Sequence, residues 1–291
     1  MAELLQDWLR RAYPKASQTT LRRMLQDGRV RVNGSVARQM KRAIEAGDDV
    51  QVASRTPTSE KPIAPLHPLA LVLEDEHILV IDKPAGLLTS TVPRERRPTA
   101  LAIVRAYVKA REPSARVGLI HRLDRDASGL LIFSKTDQAY RSLKQQFFEH
   151  SVRRVYAAIT HGVPTPSSGM IDSRLVELPD GSVRTSHRPD GGERAITHYE
   201  AIARERGLAA LRVTLQTGRK HQIRAHLSER GVPIVGDRVY GKGDEANRLM
   251  LAAVQLGFVH PQSKKEILCE IAVPRAFPLV GGTKLSSMES K

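Results

Sequence analysis

The apolar positions of the chain fall into two regimes separated by a proline-rich stretch. In the first, Leu21, Met24 and Leu25 recur at helical spacing behind Ser17 and Gly28 closes the turn, which predicts a short helix with Arg22 and Arg23 on another face. Arg29-Val30-Arg31-Val32 then alternates as a strand with both arginines on one side. Asn33-Gly34 is a hairpin turn, and Val50 and Val52, after Gly47-Asp48, supply a closing strand. Residues 1–53 therefore read as a small helix-hairpin unit in which Arg22, Arg23, Arg29 and Arg31 can form one patch. Residues 54–68 hold Pro57, Pro62, Pro65 and Pro68 and few large apolar groups. Such a segment packs as neither helix nor sheet and reads as a semi-extended linker.

Over residues 69–281 the pattern is α+β. Apolar runs at Leu69–Leu73 and Ile78–Asp82 lead into a turn at Lys83-Pro84-Ala85-Gly86. Helices are predicted over 99–110 and 136–150, the second capped by Thr136 and anchored by Leu143, Phe147 and Phe148. Between them, Val117, Leu119 and Ile120 lead into the charged run His121-Arg122-Leu123-Asp124-Arg125-Asp126. A strand resumes at Leu130–Phe133 after Ser128-Gly129. Further strands are expected at 153–159, 195–203, 208–215 and 265–273. Consecutive strands without intervening helices argue for a mixed, largely antiparallel sheet flanked by helices. Residues 282–291 are polar and are expected to fray as a flexible tail.

Charge adds a partner to this picture. With 46 Lys+Arg against 31 Asp+Glu the formal net charge is +15, which favours a polyanion through counterion release, although an anionic membrane surface would answer to the same excess. The lone cysteine, Cys269, lies in the apolar run 267–273; it excludes an intrachain disulfide and suits a reducing compartment. No run approaches the length of a membrane span, and the opening MAELLQDWLRR has acids where a signal peptide would be basic, so the expectation is a cytoplasmic protein with no membrane association.

Charge set between buried strands is costly unless it is paired or used in chemistry. Around that run the chain carries three ordered motifs: IDKPAGLLTST at 81–91, HRLDRDASGL at 121–130 and LQTGRKHQIRAHLSERGVPIVGDRVYG at 215–241. RVYAAITHG at 154–162 and RLMLAA at 248–253 accompany them. Together they resemble the RluA type of RNA pseudouridine synthase over roughly residues 75–275. The order helix, Gly28, RVRVNG, GDDVQV resembles the small RNA-binding module of a small-subunit ribosomal protein, also found in many RNA-modifying enzymes. Ala253 departs from the family pattern, which usually has histidine at one of the two alanines of RLMLAA; this puts packing or a peripheral contact in doubt, not the reaction.

The resemblance implies the pseudouridine synthase fold behind an RNA-binding module, and an isomerase acting on RNA; separately, a monomer is expected. Large-subunit ribosomal RNA is the preferred substrate and transfer RNA stays open. The reaction cleaves the bond from ribose to the ring nitrogen, turns the uracil and joins carbon five to the same ribose; it needs no cofactor, only a carboxylate beneath the nucleotide. The resemblance assigns that carboxylate to Asp124, its opposing cation to Arg224, the contact to RNA where the base leaves its stack to Arg122, and the ring against the uracil to Tyr156. Lys83, Arg219, His221 and Gln222 are expected to line the RNA groove. From the residues alone, Asp124 can equally be a structural carboxylate that caps the following turn; a glycosidase-like pair with Asp126 is conceivable, but no second carboxylate motif supports it. A zinc site at His121, His221 and His226 is not expected, because His221 and His226 miss the spacing that puts two ligands on one helical face. His121 and His226 are read as hydrogen-bonded structural histidines. Two other functions stand beside the isomerase: a metal-independent RNA N-glycosidase and a catalytically silent RNA-binding assembly factor.

Overall fold

In the computed structural model the chain forms two compact units, residues 1–62 and 63–291. The structure describes residues 3–14, 16–26, 28–53, 66–91, 97–186, 188, 191–241 and 243–288. The side chain of Arg23 and the linker prolines Pro57, Pro62 and Pro65 lie outside the described residues.

The first unit contains strand β1 (Glu3–Leu4), helices α1 (Leu5–Ala12) and α2 (Gln18–Gln26), and strands β2 (Val30–Val32), β3 (Ser35–Val36), β4 (Ala43–Ile44) and β5 (Val50–Val52). Helix α2 begins where Ser17 Oγ accepts the Thr20 N–H at 3.2 Å. Gly28, at φ +67°, makes the left-handed turn that a side chain would penalise. Leu5, Leu9, Leu21, Leu25, Val30 and Val32 form this unit's core, and β2 points its valines inward and Arg31 outward. Helix α1 adds to the sequence reading; its Leu5 and Leu9, one turn apart, are its buried residues.

The second unit is built on strands β6 (Ala70–Glu74), β7 (Ile78–Lys83), β8 (Gly118–Leu119), β9 (Ser128–Ser134), β10 (Arg153–His161), β11 (Ser168–Glu177), β12 (Val183–Ser186), β13 (Glu193–Glu205), β14 (Leu208–Leu215), β15 (Leu251–Val259) and β16 (Glu266–Glu270). Its helices are α3 (Ala100–Arg111), α4 (Asp137–Phe148) and α5 (Gln222–Glu229). One sheet runs β12-β11-β13-β14-β10-β15-β9-β7-β6, with β8 on β9 and β16 on β15. Its pairings are antiparallel except β15 on β9, which is parallel. The fold is thus α+β with a mixed, largely antiparallel sheet.

Strand β9 is buried along its whole length because it meets a core on each face. Leu131 and Phe133 join Val104 and Val108 of α3 on one side; Leu130 and Ile132 join Ala139 and Leu143 of α4 on the other. A continuous apolar run is what a strand covered on both faces requires. Thr99 and Thr136 cap the two helices, each accepting a backbone N–H at 3.2 Å.

Several expectations change. Phe148 is 79% exposed rather than an anchor, since it ends α4 five residues from Leu143 and so faces away from it. Residues 283–288 are no loose tail: Thr283 O accepts the Val273 N–H at 2.7 Å, Leu285 is fully buried and Ser286 Oγ donates to Glu270 at 2.6 Å. Residues 289–291 lie outside the described residues. At the end of the proline-rich stretch, Leu66 packs on the core of the second unit and accepts the Leu69 N–H at 2.8 Å. Strands β11, β12 and β15 are additions to the elements that the sequence pattern predicts. Among the described residues no helix is long and apolar enough to cross a membrane.

Candidate active site

The loop from β8 to β9 is fixed from beneath. Lys83, fully buried at the end of β7, donates through Nζ to the carbonyl oxygens of Pro84, Leu87, Arg125 and Ala127 at 2.7–3.1 Å. Burial pushes this ammonium down to about 8 while Asp124, Asp126 and Asp82 pull the other way; the carbonyl acceptors also favour the charged form. Lys83 therefore braces the loop and does not line an RNA groove. Thr89, held where Leu101 N–H bonds its carbonyl at 3.0 Å, donates Oγ1 to Leu123 O at 2.8 Å and accepts Leu123 N–H at 3.1 Å. With Leu123 pinned inward, Asp124 is left at the surface of a cleft with its side chain 21% exposed.

Helix α5 brings Arg224 to the same place. His221 enters it with φ +52°. Gln222, Arg224 and His226 are then buried to 2%, 4% and 0% exposure. Such burial is tolerable only with partners, and each residue has them. Gln222 accepts from Thr217 Oγ1 and the Arg219 N–H and donates to Ile196 O and Thr197 Oγ1. His226 bonds Thr197 and Ser173 hydroxyls, both at 2.9 Å, and burial pushes it down to about 4. Arg224 Nη1 donates to Asp124 Oδ2 at 3.3 Å, while Nε and Nη2 clasp Asp237 at 2.7 and 2.8 Å. Its closest carboxylate is thus Asp237, not Asp124. Burial opposes ionisation of Asp237, but Arg224 and the N–H groups of Tyr240 and Val239 outweigh it and hold the carboxyl below its usual range. Burial likewise works against the Arg224 charge; Asp237 first and Asp124 second reverse this and raise its pKa.

Asp124 and Arg224 open on a cleft of about 1040 Å³, bordered also by Arg122, Arg154, Tyr156 and Arg219. Tyr156, on β10 and 7% exposed, is pushed up to about 12 by burial, with Asp124 adding and Arg154 subtracting, so it presents a neutral phenol. Ala253 is paired with Tyr156 across β10 and β15, where the register shifts, and is buried; the departure from the family pattern is a packing position beside the cleft. Arg154 is 7% exposed, donates to Gln216 O at 2.8 Å and keeps its Nε without a partner among the described residues. A Cβ on Gly218 would stand 2.5 Å from Arg154 Nη1, so this glycine makes room for the guanidinium. His121 accepts the Ile132 N–H at 3.3 Å and stacks on Phe147 at 4.7 Å; burial, then Arg154 and Lys144, push it down to about 3.

Of the residues singled out from sequence, Asp124, Arg122, Tyr156, Arg219, His221, Gln222 and Arg224 meet at this cleft. Arg122 stands exposed at its edge, and Gln222 is buried with its hydrogen bonds committed to protein. Asp126 pairs with Arg125 at 3.1 Å and does not border the cleft, so it does not form an acid pair with Asp124 there. Among the described residues no three His, Cys, Asp or Glu side chains are grouped to hold a metal. In the first unit, Arg22 is exposed, Arg31 donates to Gly34 O at 3.0 Å, and half-buried Arg29 donates to Ala53 O at 3.0 Å through two nitrogens. Sequence reasoning passed over Asp237 and Arg154. Both stand inside quoted motifs, and Arg154 sits two residues before Tyr156, the spacing that puts side chains on one face of a strand.

A mixed, largely antiparallel sheet carrying a cleft in which a partly exposed carboxylate meets a clasped arginine is the arrangement set beside known proteins. The sequence model of RNA pseudouridylate synthases matches residues 77–229, and that of the S4 domain matches residues 3–50. The chain belongs to the RNA pseudouridylate synthase family and is an isomerase. It is 38% identical over 230 residues to ribosomal large subunit pseudouridine synthase D of Pseudomonas aeruginosa, covering 79% of this chain and 71% of that one. To the protein of the same name from Zymomonas mobilis it is 35% identical over 228 residues, 73% of this chain and 72% of the other. Among solved structures, human RNA pseudouridylate synthase domain containing 4 shares the fold at a TM-score of 0.60 and 24% identity, over 71% of this chain and 89% of that chain.

Proposed function

We propose that this protein isomerises uridines of large-subunit ribosomal RNA to pseudouridine, as a cytoplasmic monomer, with Asp124 as the essential carboxylate, Arg224 as its charge partner, Tyr156 against the uracil and Arg122 meeting the RNA at the displaced nucleotide. The observation that carries this reading is Asp124, partly exposed, facing the cleft 3.3 Å from a guanidinium that is itself fixed by a second carboxylate. An arginine so held supports the Asp124 charge without needing to move. In the reaction the bond from ribose C1′ to uracil N1 breaks, a bond from C1′ to C5 forms, the C5 proton is released and N1 gains a proton. Whether Asp124 attacks as nucleophile or takes a proton from the sugar, the step requires an ionised carboxylate beneath the nucleotide. The flat ring of Tyr156 gives the base a face on which to turn. The names of the relatives from Pseudomonas aeruginosa and Zymomonas mobilis, both ribosomal large subunit pseudouridine synthase D, favour ribosomal RNA.

The test uses unmodified large-subunit ribosomal RNA carrying tritium at uracil carbon five. Tritium release with the base retained in the RNA is the expected outcome, whereas free uracil would mark a glycosidase and no reaction a binding factor. Asp124→Asn is expected to abolish release, by at least about a thousandfold, while RNA binding survives; a variant of normal rate would remove Asp124 from the chemistry.

A further inference from the structure

Helix α4 offers the cleft a stripe that the chemistry above leaves unused. Arg141, Lys144, Gln145 and Phe148 stand at i, i+3, i+4 and i+7, which places them on one helical face, and all four border the cleft. Phe148 ends the helix with 79% of its surface exposed. Its neighbour Phe147 is turned inward against His121 at 4.7 Å, so the two rings do not cover each other's faces in a common core. A single exposed apolar residue is ordinary on any surface. This one is flanked along its own stripe by two cations and an amide, at the edge of a basic cleft in an enzyme that acts on RNA.

The company it keeps selects the occupant. A protein-docking patch has an apolar, charge-depleted centre, whereas here the charges share the stripe with the ring. Nucleic acid supplies both complements at once: phosphates for cations and a π face for an aromatic ring. Drawing one nucleotide out of folded RNA also leaves an adjacent base without its stacking partner, and covering that base offsets part of the cost. We propose that Phe148 is the stacking platform for an unpaired base next to the uridine that enters the cleft, with Arg141 and Lys144 holding the adjoining phosphates. This rests on the reading that the cleft takes a uridine of RNA, and adds to it a second base site.

Full-length protein and its Phe148→Ala, Phe148→Leu and Phe148→Trp variants would be compared for affinity to a short oligouridylate and to an unmodified large-subunit ribosomal RNA transcript, with tritium release measured on the transcript. Phe148→Ala is expected to weaken binding of both RNAs about tenfold, the order of one base–aromatic stack, and to raise KM more than it lowers kcat. Phe148→Trp should bind at least as well as the parent, and Phe148→Leu should be as weak as Phe148→Ala, because apolar area without a π face does not replace the ring. Unchanged affinity in Phe148→Ala overturns the proposal. So does full affinity in Phe148→Leu, which would mean apolar burial, as in docking of a protein or a second copy. If wild-type protein releases no tritium from the transcript, the ribosomal substrate reading fails, while the oligouridylate series still decides the role of Phe148.

Discussion

At the scale of single residues, one guanidinium serves two carboxylates in different ways. Asp237 is fully buried, clasps Arg224 through both oxygens and accepts the Val239 and Tyr240 N–H groups at 2.9 and 3.0 Å. Asp124 meets the same guanidinium through one longer contact and keeps a face toward the cleft. The first bond is structural and the second leaves a carboxylate ready for substrate. Asp237→Ala strands a buried charge, for which about 3–5 kcal/mol is the usual loss. The released Arg224 would also be free to close on Asp124 and mask it. We therefore expect Asp237→Ala to lower stability in urea by about 3 kcal/mol and to reduce kcat more than RNA affinity. Asp124→Asn, which leaves the Asp237 clasp intact, should cost less than about 1 kcal/mol. Equal stability losses in the two variants would contradict this division of labour.

At the scale of elements, the reactive geometry depends on α5 staying seated on the sheet, and His226 is its fastening. Its two ring nitrogens bond the hydroxyls of Thr197 on β13 and Ser173 on β11, each of which can donate or accept, and burial favours the neutral ring between them. With a folded pKa of about 4 against an ordinary 6.5, the unfolded chain binds this proton first as pH falls. Stability is therefore full above pH 6.5 and is lost as pH drops from there toward 4, by about 2 kcal/mol at pH 5 from this group. Urea midpoints at pH 7 and pH 5 should show the loss, and His226→Gln should flatten it; an equal slope in both proteins would place the acid sensitivity elsewhere. The same helix shows where sequence reading stops. Strand β9 and helices α3 and α4 were legible because continuous apolar runs and threonine caps are local signals. The burial of Gln222, Arg224 and His226 was not, because polar letters read as exposed until partners at 196, 197, 173 and 237 are brought up by the fold. Strand β11, exposed along much of its length, lacks a clear alternation for the same local reading to catch.

At the scale of the whole molecule, the proposed chemistry and the proposed binding arginines fall in two units with separate cores. The cleft, its carboxylate and its clasped arginine belong entirely to residues 63–291, and the S4 match and the arginines Arg22, Arg29 and Arg31 belong to residues 1–62. Arg29 and Arg31 each give part of the guanidinium to a backbone carbonyl, which fixes its direction while other N–H donors stay available for phosphate. Each phosphate neutralised contributes about 0.7 to the slope of log affinity against log salt on single-stranded RNA. Removing residues 1–53 takes away these three arginines and should reduce that slope by roughly two. Tethering adds to the effect, because a second bound surface raises the local concentration of RNA at the cleft. The truncated protein is expected to bind ribosomal RNA more weakly and with a flatter salt dependence, while kcat at saturating RNA stays within about threefold, since its core and its site residues are all retained. Filter binding across a salt series and single-turnover tritium release measure the two sides separately. An unchanged slope would take the arginines of the first unit out of RNA binding, and a collapse of kcat at saturation would mean that the first unit helps to build the site itself.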